Sequence, residues 1–388
     1  MIKSLVVSTK EIDDIEFAVE DITSQLAAFP LCANSVGIIT CHCEFLGSGA
    51  MKAICDSLPF DVAGTVTGSQ ANNTGSGVFL LSIMILTSDD VSFNLNVTPS
   101  LADDSHRVTE DFAAEIFSEN PDKLALAFTY MPFIVPFLVD EFVDIISRGL
   151  NGTPCFGVLA LDESETFENS YVCVNGEAYR DRAAVISFYG DVNPKFLCAT
   201  ISPEKIINKP ALITKCSGNI LMEINGHSVE QYFEDLGLES VREMKYAMAS
   251  VPFLLDYGDG TPLVSKIFMD QTPEKYAVCA GIIKECAAMY VGMFDKEDVL
   301  LTTGQAIDKA LEIVKAENLS GILMYSCTTR CVSLGGDSMS ELELIKNKIG
   351  DKVPFMVSYS GGEICPVMNN NSEMINRCHN NTFILCIF

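Results

Sequence analysis

Two short stretches near the C-terminus carry the residue types best suited to recognising a charged solute. Residues 326–330 read SCTTR and residues 358–366 read SYSGGEICP. Together they supply a thiol (Cys327), a guanidinium (Arg330), a hydroxyl (Ser360), two glycines (Gly361 and Gly362) and a carboxylate (Glu363). A guanidinium forks onto a carboxylate, and a carboxylate accepts from an ammonium. Arg330 near Glu363 therefore suits a zwitterion such as an amino acid. Two readings without a ligand stand beside it: the two side chains pair with each other, or Glu363 anchors a turn. Paired glycines, which free the backbone for close approach by another group, fit all three.

Further candidates follow by register. Aligning GTVTGSQ (64–70) with VSYSGGE (357–363) places Thr67 on Ser360, Gly68 on Gly361 and Gln70 on Glu363. Asp162 and Glu163 end a comparable strand. Strand ends with glycine-rich exits are common ligand sites in α/β proteins, because free amides and short polar side chains converge there. Asn381, in HNNT (379–382), either lines the same mouth or, with Asn380, makes turn hydrogen bonds. GSG (47–49) opens a helix and either holds an anion or simply caps it. It lacks the phosphate-loop pattern.

Metal and covalent chemistry find less support. CHC (41–43), Cys327 with Cys331, and Cys378 with His379 offer ligands suited to zinc, yet show no CxxC spacing and no partner set. No metal and no cofactor is expected. The four histidines sit in no recognisable catalytic context, which leaves Cys327 with His379 as a nucleophile pair only if the fold joins them.

These residues hang on a recurring unit of helix, strand, helix, strand, polar loop and strand. Its strands begin at 36, 59 and 77 in the first copy, at 124, 153 and 182 in the second, and at 321, 353 and 382 in the third. Apolar positions in the helix after Thr302 recur at three- and four-residue steps, as one buried face requires. The strands are near-continuous apolar runs, as expected when helices or a second sheet cover both faces. The fold class is α/β, with layered sheets covered by helices. A more β-rich segment, about 191–300, separates the second and third copies. It contains a hairpin around SGN (217–219), an NG turn (225–226) and a helix. Two domains follow, 1–200 and 201–388.

Bulk properties restrict the function. The 388 residues are 48% hydrophobic and 20% charged, and the net charge is −27. So acidic a chain repels phosphate backbones and anionic head groups, which excludes nucleic acid and membrane surfaces as partners. The most apolar runs fall short of a membrane span, and the N-terminus carries no secretory signal. A cytoplasmic protein is expected. The 15 cysteines lie in or beside apolar runs and read as reduced, small core residues.

Six stretches, in order, resemble the FIST family of sensory proteins. FDVAGTVTGSQ and GVLALDESETFENSYVCVNGEAYRDRAAVI are similar to blocks of its N-terminal domain. ALITKCSGNILMEINGHSVEQYFEDLG resembles the opening of its C-terminal domain. ILMYSCTTR, VPFMVSYSGGEICP and HNNTFILCIF resemble its closing motifs. Gln70 departs from the pattern by standing where the family has Glu. The resemblance implies a ligand-binding module for small molecules such as amino acids, signalling through a separate partner chain. An enzyme using the same strand-end pocket and a protein-interaction scaffold are the alternatives.

Overall fold

The computed structural model describes residues 1–133, 138–162, 164, 167–238, 251–285 and 287–388. Among them the strands form four sheets, three of six strands and one of eight. The three six-stranded sheets are built alike. In each, two parallel strands joined through helices lie beside an antiparallel third. In the first these are Asn34–Cys41, Val62–Val66 and Leu81–Ser88. In the second they are Leu124–Met131, Cys155–Leu159 and Ala184–Tyr189. In the third they are Ile322–Cys327, Phe355–Ser360 and Phe383–Ile387.

Alternation along the strands explains the layers, since successive side chains point to opposite faces. Val36 and Ile38 of the first sheet, Phe128 and Tyr130 of the second, and Leu323 and Tyr325 of the third share one core. Ile39 and Cys41 point the other way, onto the outer helices. Each large apolar side chain buried there contributes on the order of 1.5–3 kcal/mol. Helices start where the local chemistry allows. Asp14, Asp104 and Asp337 each accept a hydrogen bond from a backbone N–H in the first turn of helices Ile15–Ala27, Ser105–Glu119 and Ser338–Ile349. Helix Lys296–Glu317 begins earlier than its apolar periodicity indicates, because Asp295 and Asp298 form a capping box ahead of it.

The eight-stranded sheet occupies 211–291 and includes the expected hairpin, Ala211–Ser217 with Ile220–Ile224. Asn225 and Gly226 both take positive φ at the expected NG turn, and helix Val229–Asp235 follows. The chain beyond 322 returns to the N-terminal half. Phe355–Ser360 pairs with Gln70–Asn72, and Glu363–Met368 pairs with Cys155–Leu159. Lys195–Ala199 ends the third sheet, paired on one edge with Phe383–Ile387.

Candidate functional site

The glycine pair that precedes Glu363 is where the chain leaves the third sheet and enters the second. Gly361 N–H donates to Leu159 O at 2.9 Å, and Leu159 N–H donates to Gly362 O at 3.0 Å. A Cβ on Gly361 would lie 2.5 Å from the Phe133 ring, so this close crossing demands glycine. Glu363 then begins its strand wholly buried. Its carboxyl meets Ser360 Oγ at 2.7 Å and Thr382 Oγ1 at 2.7 Å, with the Cys327 thiol beside it. Burial pushes the carboxyl up to about 8, although these partners pull it back. At neutral pH Glu363 is therefore mostly a neutral acid.

Cys327 lies opposite Ser360 on the neighbouring strand, and Thr329 Oγ1 bridges its sulfur at 3.2 Å and Asn381 Oδ1 at 3.3 Å. Asn381 takes a positive φ of 56° in the turn before the last strand. Burial pushes the Cys327 thiol up to about 12 and the His379 imidazole down to about 3. A nucleophilic pair needs a thiolate beside a basic ring. Burial opposes both states, so the Cys327–His379 pairing is not a catalytic arrangement here.

Arg330 corrects the sequence reading. It pairs with Glu341 rather than Glu363. Its Nε and Nη2 donate to Glu341 Oε1 at 3.1 and 2.9 Å, and Nη2 donates to Thr303 Oγ1 at 2.7 Å. Ser326 Oγ and Tyr359 OH donate to Glu341 Oε2 at 2.8 and 2.7 Å. Burial alone would raise the Glu341 carboxyl, but the Arg330 guanidinium and these hydroxyls hold it below the usual carboxylate range. Glu341 is not among the residues read from the sequence, yet a signal was present. In SMSELELIKNKI it shares the buried face with Leu342, Ile345 and Ile349, and a carboxylate on an apolar stripe requires a partner.

The remaining candidates are committed to structure. Gln70 Oε1 accepts from Thr40 Oγ1 at 2.7 Å, and its Nε2 donates to Leu80 O at 2.6 Å, which joins the first and third sheets. Thr67 Oγ1 donates to Tyr359 O at 2.8 Å. Asp162 closes a turn by accepting from Ser164 Oγ at 2.7 Å and Asn169 N at 3.0 Å. Glu163 lies outside the described residues. Cysteine, serine and glutamate thus converge as expected, while Arg330, Gln70 and Asp162 face elsewhere. Except for Gly361, the predicted site residues are buried. Their polar groups are met mostly by other residues of the chain, while Arg330 Nη1 has no hydrogen-bond partner among the described residues.

Open space lies one layer away. A cleft of about 750 Å³ runs between the Lys195–Ala199 strand, helix Lys296–Glu317 and the strand that begins at Glu363. Leu197, Ile206, Leu254, Leu263, Val367 and Met368 supply much of its apolar wall. Thr302, Gln305, Lys309 and His379 are among its polar groups. Cys198, half-buried at its inner side, is a neighbour of Glu363 and is pushed up to about 12, mainly by burial. His379 stands opposite Glu363 in strand register. Its Nε2 is 3.4 Å from Cys365 O, and its Nδ1 has no hydrogen-bond partner among the described residues. Apolar clefts with a few convergent polar groups are the usual form of small-molecule sites. No motif in the sequence marks this one.

The cysteine-rich CHC stretch is dispersed. Cys41 packs against Met51, while His42 meets the Phe79 ring edge-on. Among the described residues no group of His, Cys, Asp or Glu is placed to hold a metal ion. Nor is any helix among them long and apolar enough to cross a membrane.

The fold is mixed α/β, with a largely apolar cleft beside the edge of the third sheet. The FIST N domain matches residues 35–227 and the FIST C domain matches residues 228–366. The chain belongs to the FIST family, whose domains are sensory modules linked to signal transduction. A comparison with curated proteins finds no match. Among solved structures, T. maritima PurL complexed with ATP aligns over 100% of this chain and 71% of its own at 10% identity, with a TM-score of 0.19. A likeness that low carries no argument about fold or ligand.

Proposed function

We propose that this chain is a sensory module that binds a small metabolite in the cleft beside Lys195–Ala199 and signals through a separate partner chain. One observation carries the reading: the cleft draws its lining from both matched regions and reaches inward to His379 and Cys198, the neighbours of Glu363. A ligand there touches elements from both halves of the chain. Met368 lines the cleft and is 55% exposed, so its strand offers a route from ligand to partner.

The amino-acid reading rested on Arg330 and Glu363 facing a zwitterion together. With Arg330 held by Glu341, that pair is not presented, and among the described residues the cleft lining includes no carboxylate to receive an ammonium. The reading keeps the small metabolite and gives up the zwitterion. Native mass spectrometry of freshly purified full-length protein tests it. A small molecule is expected to accompany the wild type and to be lost from Gln305→Trp, which fills the mouth from an exposed helix position. Equal retention by the variant would sink the assignment of the cleft.

A further inference from the structure

We infer that the cleft takes an apolar monocarboxylate carrying a hydroxyl donor at its buried end, an inference that rests on the cleft being the ligand site. Charge is the first argument. The chain has 52 acidic residues against 25 basic, yet among the described residues none lining the cleft is Asp or Glu. Among them Lys309 is the only Lys or Arg in that lining. It is exposed and forms no ion pair with another described residue. One unpaired ammonium balances one negative charge. A dianion would bring a second, unbalanced charge to a protein whose net charge is already −27. An ammonium-bearing ligand would be repelled by Lys309 and would find no carboxylate.

Apolarity is the second argument. With Lys309 and His379, the described lining includes Leu197, Ile206, Leu254, Leu263 and Val367, so the body of the ligand gains by leaving water. His379, which is 1% exposed, adds a polar requirement. A carbonyl oxygen only accepts, so the contact with Cys365 O requires the proton on Nε2. Nδ1 is then a bare acceptor without a partner. Leaving such an atom buried and unmatched is costly, and a ligand hydroxyl satisfies it.

Calorimetry on the full-length protein with decanoate, decanol, decylamine and ω-hydroxydecanoate separates these terms. Decanoate is expected to bind about tenfold more tightly than decanol, decylamine more weakly than either, and ω-hydroxydecanoate more tightly than decanoate. Lys309→Met should erase the advantage of decanoate over decanol without affecting the fold, because the side chain is exposed. His379→Leu should erase the gain from the ω-hydroxyl. The comparison of ligands on the wild type stands even if that buried variant fails to fold. Equal binding of decanoate and decylamine, an unchanged Lys309→Met, or no binding of any probe overturns the ligand class. If ligands of another charge bind and Gln305→Trp excludes them, the cleft remains the site and only its chemistry is reassigned. If they bind and Gln305→Trp leaves them unaffected, the cleft itself is ruled out.

Discussion

Arg330 and Glu341 lie against each other with neither side chain reaching solvent, Nη2 donating to Oε1 at 2.9 Å. Phe294 and Phe383 flank the guanidinium, their ring centroids 5.4 and 5.9 Å away. Removing one member of such a pair strands a charge in the core, which costs roughly 3–5 kcal/mol. Glu341→Gln and Arg330→Met should each lower urea-unfolding stability by about that amount, and the double variant should lose less than the two losses added. Additive losses would show that the two groups act independently.

Glu363 and His379 give stability opposite dependences on pH. The Glu363 carboxyl rises from an ordinary 4.5 to about 8 on folding, so the folded state holds a proton that the unfolded state has lost. Stability from this group is full below 4.5 and falls as pH rises towards 8. The His379 imidazole falls from 6.5 to about 3, so its contribution is full above 6.5 and is lost on acidification towards 3. The two slopes oppose each other between 4.5 and 6.5, and above 6.5 only that of Glu363 remains. The wild type should therefore lose Tm between 6.5 and 8, and Glu363→Gln should lose distinctly less over the same interval. Parallel curves for the two proteins would refute a strongly raised Glu363.

What the sequence disclosed depended on how local the physics was. Ile322–Cys327 was legible because a strand covered on both faces is apolar throughout. The meeting of Cys327, Ser360 and Glu363 was legible because adjacent parallel strands end together and the glycine exit follows at once. The partner of Arg330 was not. SCTTR does not leave its strand as an open loop. Thr328–Ser333 turns into a short helix and carries Arg330 back to Glu341 on another helix. The cleft was hidden for a similar reason. Its lining runs from Phe196 to His379, far apart in sequence, and is assembled only when Lys195–Ala199 closes the edge of the third sheet.

Gly64 and Gly157 hold equivalent places in the first two sheets. Each lies in the second parallel strand, and a Cβ on either would sit 1.8 Å from a carbonyl oxygen of the strand beside it, Ile39 O and Thr129 O respectively. The nearest atoms in both cases are backbone, so no side chain is free to yield. Gly64→Ala and Gly157→Ala should each destabilise by more than about 1 kcal/mol, against the usual small gain from lowering unfolded-state entropy. Gly152→Ala serves as a control, since its Cβ would meet nothing within 4 Å and only its φ of 77° opposes the change. Chemical denaturation should rank Gly152→Ala as the mildest of the three.

Lys266 and Asp140 fasten the eight-stranded sheet to helix Val139–Gly149. Lys266 is fully buried and donates to Asp140 Oδ1 at 2.8 Å and to Cys378 O at 3.0 Å. Ile282 N–H donates to Asp140 Oδ2 at 3.0 Å, so one carboxylate holds two parts of the segment. Burial by itself would drive the Lys266 ammonium towards its neutral form, and Asp140 outweighs that, holding its pKa above the ordinary range. Asp140→Asn removes the largest influence that opposes burial. At neutral pH the variant should be less stable by roughly 3–5 kcal/mol, and the Ile282 amide should exchange faster. The lysine pKa in the folded variant then lies below its unfolded value, so the variant should recover stability as pH rises, whereas the wild type should not. A loss that stays constant with pH would show that Asp140 acts through its hydrogen bonds alone.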